Sequence, residues 1–302
     1  MIVAKVINIL LVVFLAIQFS STIDSKNQQF RTSSAPYISG DSFRAIADHI
    51  FDETQWPSRY EVKQGDIIFV KTDYLDRFFS QVHSNIKNQY ILITHNSDYS
   101  APDKFEPFLD DEKIIVWFGQ NPTIQGHRKF VAIPIGIANQ CWPHGDVTHF
   151  DTVIKGSLHA ERKYLLGINF RPTTNKDARM YVYEMFNHIS WCKNIENFNH
   201  IKYLKNMTQA KFVLSPAGNG LDCHRTWETL LVGAFPVVKS SCLDELLVGL
   251  PVVIIDDWRN ISSDFLNDVY DYMICHIDQY CYEKLYFDYW KTLIYKYKNH
   301  DT

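Results

Sequence analysis

The stretch of sequence that decides the fold is FVLSPAGNGLDCHRTWETLLVGAFPVV, which runs from Phe212 to Val238. Its first residues form a short apolar run that ends at Leu214, and a loop rich in glycine and proline follows. The spacing of the apolar residues then predicts a helix over 224–233 and a second strand over 235–238. Strand, loop, helix and strand in this order are typical of an α/β domain with a parallel sheet.

The loop and the first turns of the helix carry the polar chemistry of this stretch. Gly218 and Gly220 allow the backbone to approach a ligand closely, and Asp222 is predicted to cap the helix. The amino end of a helix carries free N–H groups and a partial positive charge, which suit a diphosphate. Arg225 can bind phosphate through two nitrogens, and Glu228 on the same helix face can accept hydrogen bonds from two ribose hydroxyls. The alternative is that Arg225 and Glu228 form an ordinary ion pair at the surface.

Similar apolar runs, separated by helical patterns and polar turns, occur along most of the chain. Short runs of this kind are typical of parallel strands that are covered on both faces. The predicted strands lie at 66–70, 90–94, 113–118 and 130–133 in a first series and at 163–169, 211–214, 235–238 and 251–255 in a second. Helices are predicted at 73–87, 177–188 and 224–233, and in the aromatic-rich tail over 269–297. We expect the α/β fold class, with two Rossmann-like, doubly wound domains that face a cleft and bind ligands in the loops after the strands.

The first residues of the chain predict a membrane signal. An almost unbroken apolar run extends from Ile7 to Phe19, and Ser20 follows it. A run of this length is either a signal anchor or a cleaved signal peptide, and we favour an anchor over residues 1–22. In both cases the rest of the chain lies in the secretory lumen. The expected location is the Golgi or ER membrane, as a single-pass type II protein, or outside the cell if the signal is cleaved.

The remaining chain is predicted to form three regions. Residues 23–40 are rich in serine, threonine and glutamine and are predicted to be a stem between the membrane and the folded part. Residues 41–155 are predicted to be an N-terminal α/β domain, and 156–302 a C-terminal α/β domain with the helical tail. The stretch 146–160 has few periodic features and is predicted to link the two domains.

Composition argues against several classes of protein. The net charge is −4 and the basic residues are scattered, so we expect no nucleic-acid partner, because nucleic acid requires a concentrated basic surface. No GxSxG and no HExxH motif occurs, which argues against a hydrolase. The six cysteines form no CxxC pair, so a structural zinc site is not expected. Their even number permits disulfides, and Cys275 and Cys281 are close enough in sequence to pair.

The stretch quoted above resembles the donor-binding core of exostosin-like glycosyltransferases. The resemblance covers roughly residues 160–260. It is carried by Leu214, Pro216, Gly218, Arg225, Glu228, Gly233, Pro236 and Val237. It implies a fold of the two-Rossmann-domain (GT-B) type, a nucleotide-sugar donor, for which UDP is favoured, and a glycan or glycoprotein acceptor.

The resemblance also implies roles for individual residues. Glu228 would hold the ribose, and Arg225 would hold the diphosphate or the transferred sugar. The other implied donor contacts are Ser215, Pro216, Gly218, Asn219, Gly220 and Asp244. Ala217 departs from the pattern, because the family often has a basic residue at this position. One phosphate contact is therefore missing from the loop.

We expect no metal and no other cofactor. Metal-dependent transferases with a single Rossmann domain use an Asp-x-Asp triplet to hold Mn²⁺ on the diphosphate. The chain has no such triplet, which agrees with a GT-B enzyme in which arginine and a helix dipole stabilise the leaving group.

Transfer with inversion requires a general base on the acceptor hydroxyl, and the N-terminal half offers candidates at its strand ends. Asp98 follows the strand over 90–94, and His144 lies near the predicted link. His95 and Trp142 are the candidate acceptor contacts, since an indole can stack on a sugar. Transfer with retention needs no such base, and the sequence leaves both courses open. The main alternative to an enzyme is a catalytically inactive lumenal protein of the same fold that binds glycans or a partner.

Overall fold

The computed structural model describes residues 31–56, 61–156 and 161–298. The predicted signal anchor over 1–22 lies outside these residues. Within them, every helix is too short or too polar to cross a membrane.

The N-terminal half is built on a parallel sheet of five strands that follow one another in chain order. These strands are β1 (His49–Phe51), β2 (Asp66–Lys71), β3 (Tyr90–His95), β4 (Ile114–Gly119) and β5 (Phe130–Ala132). The residues of β2 from Ile67 to Val70 are completely buried. A strand that is apolar on both sides is stable only where both faces of the sheet are covered. The four strands predicted in this half are confirmed, and β1 is an addition.

The C-terminal half is built on a second parallel sheet of five strands in the order β10-β9-β8-β6-β7. These strands are β6 (Tyr164–Ile168), β7 (Cys192–Asn194), β8 (Ala210–Leu214), β9 (Phe235–Lys239) and β10 (Val253–Ile255). From β6 the chain first adds β7 on one side and then returns to place β8 on the other side. A crevice opens between the loops after β6 and β8, where such a sheet binds ligands.

Nine α-helices connect and cover the strands within the described ranges. They are α1 (Gly40–Ala45), α2 (Leu75–Gln81), α3 (Val147–Gly156), α4 (Lys176–Phe186), α5 (His200–Met207), α6 (His224–Leu231), α7 (Asp244–Leu247), α8 (Ser263–Cys275) and α9 (Phe287–Lys298). The α/β class with two parallel sheets is thus confirmed, and it is consistent with Rossmann-like domains. The helical tail is two helices, α8 and α9, and not one.

The stretch 146–160, predicted to link the two domains, contains the helix α3, which the sequence analysis did not predict. The Asp146 carboxylate accepts hydrogen bonds from the backbone and side chain of Thr148, which starts the helix. Phe150, Val153 and Ile154 are spaced by three and four residues and are buried. This spacing is a helical signal that the sequence contains.

The predicted stem over 23–40 is described from residue 31 onward, and residues 34–40 are buried or half-buried. Ser34, Tyr37 and Ile38 are buried in the core. The hydroxyl of Tyr37 donates a hydrogen bond of 2.7 Å to Asp151 on α3. Residues 34–40 are therefore part of the folded body.

The last helix returns to the N-terminal sheet. Tyr297 packs edge-on against Phe118 of β4 at 5.6 Å, and Phe287 packs edge-on against Phe43 of α1 at 5.3 Å. The backbone N–H of Phe287 donates to the carbonyl of Pro36 at 2.9 Å. The helical tail, which the sequence analysis assigned to the C-terminal domain, thus also packs against the N-terminal half.

All six cysteines are described, and all are free thiols. Cys275 and Cys281, the pair closest in sequence, are therefore not joined.

We expect the contact between α9 and the N-terminal half to be a large part of the stability of the chain. Phe287→Ala removes a buried ring and should lower the free energy of unfolding by about 3–5 kcal/mol, measured by urea denaturation. Tyr289→Ala, on the more exposed side of the same helix, is the control and should cost less than about 1 kcal/mol. Equal losses for the two variants would contradict this role of α9.

Candidate functional site

The carboxyl ends of the two sheets face the same cleft, and a cavity of about 350 Å³ lies between them. Its walls come from the loops after β3 and β5 in the first half and after β6, β7 and β8 in the second. Asp98 and His144 line it from one side, and Arg225 and Glu228 line it from the other. Two sequence-predicted groups, the candidate bases and the Arg-Glu pair, are thus brought together.

The loop before α6 is held by contacts between the two halves. Asp222 was predicted to cap α6, but Cys223 is the capping residue and offers no side-chain hydrogen bond. The Asp222 carboxylate instead accepts hydrogen bonds from Trp227 Nε1 at 2.9 Å and from the backbone N–H of Ile135 at 2.8 Å. Its own backbone N–H donates to Asn121 Oδ1 at 2.9 Å. Ile135 and Asn121 belong to the N-terminal half, so this loop joins the two sheets.

The glycines of the loop make room for these neighbours. A Cβ on Gly220 would lie 2.7 Å from Asn121 Nδ2, and one on Gly218 would lie 2.9 Å from Arg179 Nη2. Both distances are too short for real atoms, so a side chain at either position would displace a contact of the loop. Both glycines, which were predicted to let a ligand approach the backbone, line the cavity together with Asn219, and they also make room for these protein side chains.

Arg225 is a buried cation with incomplete pairing. It is 8% exposed, and its Nε and Nη1 atoms have no hydrogen-bond partner among the residues that the structure describes. Its guanidinium lies 5.3 Å from the ring centre of Phe170. An unpaired buried charge is costly, so the arrangement is suited to an anion that enters from the cavity. The alternative of an ordinary surface ion pair is wrong, because Arg225 and Glu228 are both buried.

Arg179 on α4 supplies a second cation that sequence reasoning did not select. Its guanidinium lies 5.8 Å from the same Phe170 ring, and its Nε donates to the carbonyl of Ala217 at 2.8 Å. Burial and the charge of Arg225 lower the pKa of Arg179. Ala217 has no basic side chain, but a guanidinium from another helix lies beside it. Arg179 lies in the predicted helix over 177–188, yet nothing local in the sequence indicates its approach to this loop.

Glu228 is a buried, hydrogen-bonded carboxylate. It is 4% exposed, and the hydroxyl of Tyr203 donates to its Oε2 at 2.8 Å. Burial raises the pKa of Glu228, but His200, His224 and the Tyr203 hydroxyl outweigh burial and hold that pKa below its ordinary value. Glu228 is thus an ionised acceptor at neutral pH. His200 and Tyr203 lie on α5, a helix that sequence reasoning missed although Asn199 caps it through its side chain.

A larger cavity of about 840 Å³ adjoins the first on the N-terminal side. The two cavities share Asp98, Ile135 and His224 in their walls. Trp142, which is 58% exposed, and His95, the two predicted acceptor contacts, line the larger cavity.

His95 is buried, and both of its ring nitrogens form hydrogen bonds within the protein. Its Nε2 donates to the carbonyl of Pro134 at 3.1 Å, and its Nδ1 accepts from the N–H of Asn96 at 2.7 Å. Burial lowers the pKa of His95 to about 4, so its ring is neutral. With both nitrogens engaged, His95 can shape the cavity wall but has no free atom for an acceptor.

His144 is better placed for proton transfer. Its ring lies 6.3 Å from that of His200 and 6.4 Å from that of His224. Partial desolvation in the cleft and the neighbouring His224 and His200 lower the pKa of His144. A solvent-accessible imidazole that is neutral at physiological pH can accept a proton.

The structure places three of the predicted donor residues elsewhere. The hydroxyls of Ser215 and Thr226 hydrogen-bond each other at 2.8 Å. Ser215 and Pro216 line a third cavity of about 310 Å³, which lies at the loops after β8, β9 and β10. Asp244 accepts from Ser240 and Ser241 at the start of α7 and lines none of these three cavities.

No group of three or more His, Cys, Asp or Glu side chains within the described residues is arranged to hold a metal ion.

Comparison of the sequence with protein-family models gives no match. Comparison with curated proteins also gives no match.

Arg225 should lower the stability of the ligand-free protein. Arg225→Met keeps most of the side-chain volume and removes the unpaired charge, so we expect the free energy of unfolding to rise by about 1–3 kcal/mol in urea denaturation. Arg259→Met, at an exposed arginine, is the control and should change stability by less than about 1 kcal/mol. A large loss of stability in Arg225→Met would show that the guanidinium serves the fold.

Proposed function

We propose that this chain is a metal-independent glycosyltransferase of the GT-B type. It transfers a sugar from a nucleotide-sugar donor, with UDP favoured, to a glycan or glycoprotein acceptor. The proposed location is the lumen of the Golgi or ER, with the predicted anchor over residues 1–22 in the membrane. The observation that carries the proposal is the buried guanidinium of Arg225 at the start of α6, two of whose nitrogens have no hydrogen-bond partner among the described residues, together with the ionised Glu228 on the same helix.

The position of this pair supports a nucleotide. Arg225 lies in the first turn of α6, which follows β8, next to the point where the strand order of the second sheet reverses. Arg225 and Arg179 supply two cations for the two phosphates, and a guanidinium binds phosphate through two nitrogens. Glu228 supplies an acceptor for the vicinal hydroxyls of a ribose. A diphosphate and a ribose are the parts shared by every nucleotide-sugar donor of this kind.

The opposite wall of the cleft supports transfer to an acceptor. His144 or Asp98 accepts the proton of an acceptor hydroxyl in a reaction with inversion. The acceptor oxygen then forms a bond to the anomeric carbon, and the bond from that carbon to the β-phosphate oxygen breaks. Arg225, Arg179 and the amino end of α6 stabilise the negative charge that develops on the phosphate. The exposed Trp142 offers a face for stacking against a sugar ring of the acceptor.

Binding of nucleotide tests the donor site directly. Calorimetry of UDP and of uridine with the protein in EDTA should give metal-independent binding of UDP. Glu228→Ala should weaken both ligands by about 10- to 100-fold, because both carry the ribose. Arg225→Met should weaken UDP alone, because uridine lacks phosphate.

The control for the binding experiment is Glu184→Ala, at an exposed position of α4. It should leave both affinities unchanged. A folded protein that binds neither UDP nor GDP would overturn the transferase proposal and favour the inactive glycan-binding alternative, which the missing basic side chain at Ala217 already suggests.

The pH dependence of transfer tests the base. A base acts in its unprotonated form, and the pKa of His144 is lowered, so kcat/KM should rise with pH to a plateau with a midpoint below about 6.5. His144→Asn should lower kcat by about 10²–10⁴-fold with little change in UDP affinity. Asp98→Asn tests the other candidate base, which lines the same side of the cavity. If neither variant lowers kcat, no residue of this wall is the base.

A further inference from the structure

Two histidines connect the buried Glu228 carboxylate to a carboxylate at the surface. The side chain of His200 is 9% exposed, and its Nε2, which has no hydrogen-bond partner within the described part of the chain, lies 3.8 Å from Glu228 Oε1. The Nδ1 of His200 lies 3.0 Å from the Nδ1 of His149 on α3. The Nε2 of His149 lies 3.7 Å from Oδ2 of Asp146, whose side chain is 48% exposed. The four side chains form a continuous chain from solvent to the donor cavity.

The contact between the two Nδ1 atoms decides which nitrogens carry protons. Two ring nitrogens at 3.0 Å share one proton, so one ring donates and the other accepts. If a neutral His200 donated, the lone pair of its Nε2 would face the Glu228 carboxylate. If His149 donates, His200 carries its proton on Nε2 and directs it toward that carboxylate. The lone pair of His149 Nε2 then faces Asp146 at 3.7 Å, but that carboxylate is 48% exposed, and solvent weakens the repulsion. Because Glu228 is buried, Coulomb attraction is stronger at its end of the chain and favours His149 as the donor.

This arrangement leaves Glu228 ready for a ligand. The Tyr203 hydroxyl donates to Oε2 at 2.8 Å, and His200 faces Oε1. A carboxylate has about four acceptor sites, so each oxygen keeps capacity for a hydroxyl that arrives from the cavity. Burial alone would favour the protonated acid, which loses part of that capacity. The ionisable groups that face Glu228 are His200 and Tyr203 on α5, His224 and Arg225 on α6, and His144 from the N-terminal half.

We propose that His149 and His200 are positioning residues for the donor nucleoside. His149 sets the tautomer of His200, and His200 keeps Glu228 ionised and oriented toward the ribose hydroxyls. This inference rests on the proposed function, since it takes the ligand of Glu228 to be a nucleoside diphosphate. His149 lies on α3, five residues after His144, so the short segment 144–149 connects a candidate base on the acceptor side of the cleft to His200.

The test is the affinity of the full chain for UDP at pH 6 and pH 8. His200→Leu should weaken UDP by about 10- to 100-fold at pH 6 and by less at pH 8, because Glu228 then ionises only at the higher pH. His200→Gln places an amide N–H near the position of Nε2 and should restore most of the affinity. His149→Leu should act in the same direction with a smaller loss. The affinity of each variant for UDP is divided by the affinity of the unmodified chain at the same pH. This ratio cancels the effect of the titration of UDP itself.

The control variant is His188→Leu, at an exposed histidine of the same half, and it should bind as the unmodified chain does. Equal losses at the two pH values, without rescue by His200→Gln, would mean that His200 only packs, and the proposal would fail.

A second measurement needs no nucleotide. Nitrogen-15 NMR of the histidine rings in the ligand-free full chain should find His200 protonated on Nε2 and His149 protonated on Nδ1, with the signals assigned through the variants. The opposite tautomers would overturn the inference even if UDP binds. If a folded chain shows the expected tautomers but binds neither UDP nor GDP, the proposed function is overturned. The donor role of the two histidines then fails with it.

Discussion

The two halves of the molecule meet at the buried carboxylate of Asp222. It accepts a hydrogen bond from the backbone of Ile135 in the first half and from the indole of Trp227 in the second. Burial outweighs these hydrogen bonds and raises the pKa of Asp222 to about 6. Asp222 lies two residues before α6. The contact that joins the sheets therefore also sets the position of the helix that carries Arg225 and Glu228. The cleft and its binding groups therefore depend on the same interaction.

Two cations lie close to each other in the cleft. Arg179 and Arg225 lie over one aromatic ring, Phe170, and Arg225 has two nitrogens without partners. Two like charges in a partly dry site repel each other, and desolvation adds to the cost. An anion between the two guanidiniums would relieve both effects. Glu228 differs, because Tyr203 and His200 already stabilise its charge within the protein.

The local sequence pattern predicted most of the strands and helices. It missed two helices that begin at a capping residue and the short strand β1. The long apolar runs of β2, β3 and β4 are confirmed because buried parallel strands are apolar throughout. Two helices were misjudged although signals were present: α3 starts at Asp146 with regularly spaced apolar residues, and α5 starts at the cap Asn199. The region before residue 41 resembled a stem by composition, but Tyr37 and Ile38 are buried, and Tyr37 contacts Asp151 and Phe150 of α3.

The sequence by itself determined the α/β alternation, the glycine-rich turn after β8, and the placement of Arg225 and Glu228 on one face of α6, because these follow from local periodicity and spacing. Only the tertiary structure decided that Arg179, His200 and Tyr203 join them and that Ser215 and Asp244 lie elsewhere. The physical reason is the strand order of the second sheet. β6 lies beside β8 although some forty residues separate them in the chain, and residues from distant loops meet only at such a junction.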